Sequence, residues 1–254
     1  MKIMSPVVYW ETVKEVELAF KENNKSKIEK ETSYILSQLI ITMLGFYQDR
    51  LESILFEPYN LPFDEMYITS EENRKALLGW LNRLISLDIS ADDYEFGKLK
   101  VDFEDWFYQI GGRDVRFEYR DPYLLNPYEV AEKLGVSVGT LKKYSKRGFE
   151  YVQNRSQRSI PKHMIPLWQD PVYCLKVQMV FHENKIRNQK AENRIKEVNN
   201  EILEFQIKYK ADTSKEAFPI VDGNEMDIED IQDFYEWESL EEEYQELKEK
   251  LNRK

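Results

Sequence analysis

Residues 126–148 read NPYEVAEKLGVSVGTLKKYSKRG, and this stretch leaves the chain little conformational choice. Asn126 can cap a helix, Pro127 suits its first position, and Glu129 can reach back to complete a capping box. Val130, Ala131 and Leu134 then fall on one face, with the small Ala131 where a second helix would cross closely. Gly135 permits the left-handed backbone of a tight turn, Val136 plugs the core, and Ser137 caps a second helix that turns Leu141 and Tyr144 inward. Gly148 closes it. The spacing predicts a helix-turn-helix, although a plain helical hairpin would satisfy the same apolar pattern.

The outward face of the second helix separates those alternatives. Val138, Gly139, Thr140, Lys142, Lys143, Lys146 and Arg147 are small or cationic. Such a helix can enter a major groove roughly 12 Å wide, its early residues meeting base edges and its later ones phosphates. The sequence that follows, FEYVQNRSQRSIP, predicts a strand, a polar turn and a second strand, a wing with Arg155 and Arg158 near its tip and Lys162 just beyond. A short apolar helix carrying Met164, Leu167 and Trp168 would cover it.

Charge follows the same division. The chain carries a net −11, which is wrong for a partner of phosphate groups, yet residues 126–163 hold 8 basic and 3 acidic residues, a local +5. The flanking segments each sum to −8. With a Debye length of roughly 8 Å at cellular salt, a cationic island acts locally whatever the total.

Pro127 to Leu134, Gly135 to Leu141, and Arg158-Ser159-Ile160-Pro161 with Trp168 together resemble the DNA-binding domain of the MerR and excisionase superfamily. The resemblance covers residues 126–168 only. It implies a second helix, Ser137 to Arg147, in the major groove of double-stranded DNA and a wing, with Arg155 and Arg158, along the backbone. The segment is internal here, whereas MerR regulators carry it at the N-terminus. No C-terminal cysteine or aromatic effector pocket is recognisable, so metal or drug sensing is not implied.

The expected fold is mainly α. A helical domain of unknown role spans 1–122, the winged helix-turn-helix spans 123–170, and long coiled-coil helices fill 171–254. Trp10, Val13, Val16 and Phe20 mark one helical stripe, and Ile35, Leu36, Leu39, Ile40, Leu44 and Phe46 mark another within a helical run expected to reach residue 57. Ser26 with Glu29 and Thr69 with Glu72 read as capping boxes, separated by a loop from Pro58 to Pro62. Residues 99–103 and 115–119 read as strands around a short helix, EDWFYQI, and a Gly111-Gly112 turn.

No residue is assigned a catalytic role. Asp102, Glu104, Asp105, Asp114 and Glu118 could suggest metal-dependent nuclease chemistry, but the lysine such motifs carry is missing. His163, Cys174 and His182 lack the spacing of a zinc set, and no cofactor is expected. With one cysteine and no apolar leader, a cytoplasmic, nucleoid-associated protein is expected, with no membrane partner.

A heptad register runs through Val177, Phe181, Asn184, Asn188, Ala191, Ile195, Val198, Ile202, Phe205 and Tyr209. A second run, Trp237, Leu240, Tyr244, Leu247 and Leu251, follows a loop at 218–224. The expectation is a homodimer through these helices; folding back within one chain fits the same periodicity. The acidic run EDIQDFYEWESLEEEY reads as a solvated helix face. The composite expectation is a sequence-specific DNA-binding regulator whose N-terminal domain meets an unknown protein. The alternatives are a DNA-organising, chromosome-anchoring or excisionase-like accessory protein, and a protein-interaction module without DNA affinity.

Overall fold

The computed structural model describes residues 4–57, 61–86, 92–154, 157–188, 191–218 and 228–252. The fold is mainly helical and divides into two compact units, Met1–Lys185 and Ile186–Lys254.

The first unit begins with α1 (Pro6–Lys21) and α2 (Lys25–Phe46). Asn24 caps α2 by accepting the Lys27 N–H at 3.1 Å, two residues before the expected Ser26. Val16, Ile35, Leu39 and Met43 are fully buried, whereas Trp10, read as part of the α1 stripe, is 66% exposed.

The helical pattern expected through residue 57 stops at Tyr47. Residues Leu51–Glu57 form strand β1 instead. A short helix α3 (Glu65–Ile68) leads to α4 (Glu71–Ser86), where Ser70 rather than Thr69 accepts the Asn73 N–H. Of the expected Pro58–Pro62 loop, residues 58–60 lie outside the described residues.

Helix α5 (Asp93–Gln109) runs through residues 99–103, which the alternation LKVDF suggested as a strand. The longer spacing decides it: Phe96, Leu99, Phe103, Trp106 and Ile110 are buried at steps of three and four. Asp92 caps α5 by accepting the Glu95 N–H at 2.9 Å. Strand β2 (Asp114–Tyr119) follows, as expected, and pairs antiparallel with β1, matching Ile54 with Phe117 and Phe56 with Val115.

A single 3-10 turn at Asp121–Tyr123 opens the central segment. Then come β3 (Leu124–Leu125), α6 (Pro127–Leu134), α7 (Val138–Ser145), β4 (Val152–Asn154), β5 (Gln157–Pro161), α8 (Met164–Gln169) and α9 (Pro171–Asn188). The wing has one strand more than expected. Leu124 and Leu125 pair with Pro161 and Ile160, giving an antiparallel sheet in the order β3-β5-β4.

The boundary expected near residue 122 falls inside a continuous core. Val130, Leu141, Phe149, Ile160, Met164 and Leu167 share one buried cluster with Phe96, Leu99 and Phe103. Gly97 lets α8 approach α5 closely, since a Cβ there would lie 2.8 Å from Leu167 Cδ1. Val177 and Val180 of α9 close the same core, so the first part of the expected heptad seam serves the first unit.

The second unit holds α10 (Ala191–Tyr209), α11 (Ser214–Ala217) and α12 (Ile228–Asn252). Val198 and Ile202 pack with Trp237 and Leu240, and the rings of Phe205 and Tyr209 stack on Trp237 at 5.7 and 6.2 Å. The seam residues of α10 therefore meet α12 of the same chain, the folded-back arrangement that the same periodicity fits. Residues 219–224 of the expected loop, with Pro219 and Gly223, lie outside the described residues. Among the described residues no helix is long and apolar enough to cross a membrane.

Candidate nucleic-acid interface

Local hydrogen bonds set the two helices. Asn126 Oδ1 accepts the N–H groups of Tyr128 and Glu129 at 2.9 and 3.0 Å, and Glu129 Oε2 accepts the Asn126 N–H at 3.2 Å. This closed capping box satisfies backbone donors that α6 would otherwise leave open, a cap typically worth about 1 kcal/mol. Gly135 sits at φ 66°, where a side chain would be strained. Ser137 Oγ then accepts the Thr140 N–H at 3.0 Å and starts α7.

Packing fixes what α7 presents. Val130 and Leu141 are fully buried, while Tyr144 and Phe149 each lie 5.0 Å from the ring of Trp168 on α8. Gly148, at φ 99°, turns the chain from α7 toward the wing. With Leu141 pinned inside, Ser137, Gly139, Lys142, Lys143, Lys146 and Arg147 are exposed. Thr140 is half-buried, with its hydroxyl 2.9 Å from Ser137 Oγ. Val138, read as part of the outward face, is half-buried and packs against the core.

No ion-pair partner among the described residues meets Lys142, Lys143, Lys146 or Arg147. Some cations elsewhere are engaged: Arg83 and Lys176 hold Asp102 at 2.6 and 2.7 Å, and Arg74 holds Glu17 at 2.6 Å. In the wing, Gln153 and Arg158 face each other across β4 and β5. Arg155 lies outside the described residues, as does the Arg158 side chain. Lys162 is half-buried, and its N–H donates to the Tyr123 carbonyl at 3.2 Å. Tyr128, 77% exposed at the start of α6, was not foreseen. Its only sequence signal is an aromatic residue off the apolar period.

Beneath this surface lies a buried polar chain. Lys100 Nζ bonds Glu104 Oε1 at 2.7 Å and Glu150 Oε2 at 3.1 Å, Tyr119 donates to Glu150 Oε1 at 2.9 Å, and His163 packs face to face with Tyr123. Burial pushes the Glu104 carboxyl up to about 6. Burial also opposes the Glu150 charge, but Lys100 and His163 outweigh it and hold that carboxyl well below the usual range. Burial keeps His163 below its ordinary value, hence neutral near pH 7.

The acidic residues weighed for metal chemistry are held by side chains of the protein: Asp102 and Asp105 share Lys176, Glu104 bonds Lys100, Asp114 lies against Arg116, and Glu118 bonds Ser53. Among the described residues no three His, Cys, Asp or Glu side chains form a metal-holding group. Comparison with protein family models, curated proteins and solved structures finds no match for the chain.

Proposed function

We propose that residues 126–168 bind double-stranded DNA as a winged helix-turn-helix of the MerR and excisionase type, within a site-specific DNA-binding regulator. The observation that carries this is the exposed cationic face Lys142, Lys143, Lys146 and Arg147, without ion-pair partners among the described residues, on α7 and the turn after it, with the opposite face of the helix locked into the core. A structural role for these charges would require partners within reach, as Arg83 and Lys176 have. In this reading the four cations neutralise phosphates, Ser137, Gly139 and Thr140 meet base edges at the start of α7, and the β4–β5 hairpin with Arg155 and Arg158 follows the backbone. Lys162 adds a further positive charge at the base of the wing.

The test is binding of the full chain to fragments of its own genomic neighbourhood and to random DNA across several salt concentrations. A salt-sensitive preference for one fragment supports a site-specific regulator. Equal binding to all fragments favours the architectural alternative, and no binding at low salt overturns the proposal. Light scattering of the complex counts the copies per site.

A further inference from the structure

Within the first unit, α5, β2, the end of α7 with the turn after it, and α9 line a cavity of about 350 Å³ that opens to solvent. That volume lies within the range of small-molecule sites, which combine apolar walls with a few placed polar groups. Phe149, Val177, Val180 and Phe181 supply apolar wall, and the charged lining is Lys100 against Glu104, Asp114 and Glu150.

The charges do not balance. Lys100 is nearly buried and already committed to Glu104 and Glu150, and both oxygens of Glu150 are occupied by Lys100 and Tyr119. Glu104 gives one oxygen to Lys100, and its other oxygen has no hydrogen-bond partner among the described residues. Asp114 lines the same cavity nearer the solvent, where the exposed Arg116 lies beside it at 3.2 Å. Lys100 alone thus answers two carboxylates, Glu104 and Glu150, and Asp114 adds a third that is held only by an exposed arginine among the described residues, which leaves a negative excess against an aromatic and aliphatic wall.

We propose that this cavity binds a small organic cation, an ammonium or guanidinium carried on an apolar body, with the charge between Glu104 and Asp114 and the body against Phe149 and Phe181. An anion would meet uncompensated carboxylates. A bare divalent ion would want six or more oxygen ligands, and no metal-holding group is present among the described residues. The raised Glu104 carboxyl agrees with this, because a neighbouring cation restores the ionised form that burial disfavours. Ser145 and Gly148 also line the cavity, so an occupant touches the end of α7. A consequence for DNA affinity rests on the function proposed above, whereas binding itself does not.

The experiment is calorimetric titration of the full chain, without DNA, with 2-phenylethylammonium chloride, 2-phenylethanol and phenylacetate. The ammonium is expected to bind at least about tenfold more tightly than the alcohol, the equivalent of one charge-assisted contact, and phenylacetate not at all. Glu104→Gln is expected to weaken ammonium binding about tenfold and Asp114→Asn about threefold, the latter with an unchanged melting temperature. If Glu104→Gln fails to fold because Lys100 loses a partner, Asp114→Asn decides. Equal binding of all three probes, no binding of the ammonium, or full affinity in Asp114→Asn overturns the proposal.

Discussion

Helices α7 and α10 both carry basic residues, and they use them in opposite ways. On α10, Arg194 is 8% exposed and grips Glu243 through two contacts of 2.6 Å, with Glu197 and Glu201 nearby, while Lys208 reaches Asp233 at 2.5 Å. On α7 and the turn after it, Lys142, Lys143, Lys146 and Arg147 face solvent with no such partner among the described residues. Charge neutralised within the chain stabilises or orients the fold. Charge left open contributes little to stability and remains available to an anionic partner.

The largest expected effect tests whether α10 is held within its own chain. Trp237→Ala removes the fully buried centre of the α10–α12 contact and should cost the second unit about 3–5 kcal/mol, read as loss of helical signal on thermal melting. If the mass falls while helicity stays intact, pairing between chains holds α10 instead. Next, Arg194→Ala strands Glu243 and should cost about 3 kcal/mol, whereas the same change at Lys143 should leave stability within about 0.5 kcal/mol. Equal costs at the two positions would erase the contrast.

A half-paired charge falls between these cases. Glu104 is raised to about 6 in the folded chain, above its ordinary 4.5, so the folded state takes up this proton first. Its contribution to stability therefore grows as pH falls from above 6 to 4.5, by up to about 2 kcal/mol. Urea unfolding across that window should show a smaller gain in Glu104→Gln. The smallest effect belongs to the open charges taken singly. Lys142→Ala or Arg147→Ala should weaken DNA binding about fivefold near 0.15 M salt and lower the salt slope by about 1, without changing melting. Unchanged affinity in both would remove α7 from the interface.

The helix-turn-helix was legible because its determinants are local. Asn126 and Ser137 cap within three residues of themselves, and Gly135 needs its positive φ whatever surrounds it. Strands β1 and β3 were not legible because their partners are remote: Leu51 pairs with Tyr119, and Leu124 with Pro161. The apolar run at 51–57 carried helical spacing forward with nothing nearby to contradict it. The heptads of α10 gave the right seam at Val198 and Ile202 without saying whose helix fills it, because periodicity encodes a face and not its owner. Within the site, the cationic residues were readable from their offsets. Val138 was misplaced because the residue after an N-cap can turn either way. The charged lining of the cavity, drawn from residues 100, 104, 114 and 150, was invisible until folding brought it together.

Gly97 and Leu167 give the first unit a mechanical property. Where helix backbone meets side chain this closely, little compressible space separates α5 from α8, and α8 in turn braces Tyr144 of α7 through Trp168. The segment that would touch DNA is therefore not suspended on a hinge. It is geared to α5, and a twist applied there would be transmitted as torque to α7 rather than absorbed by a joint.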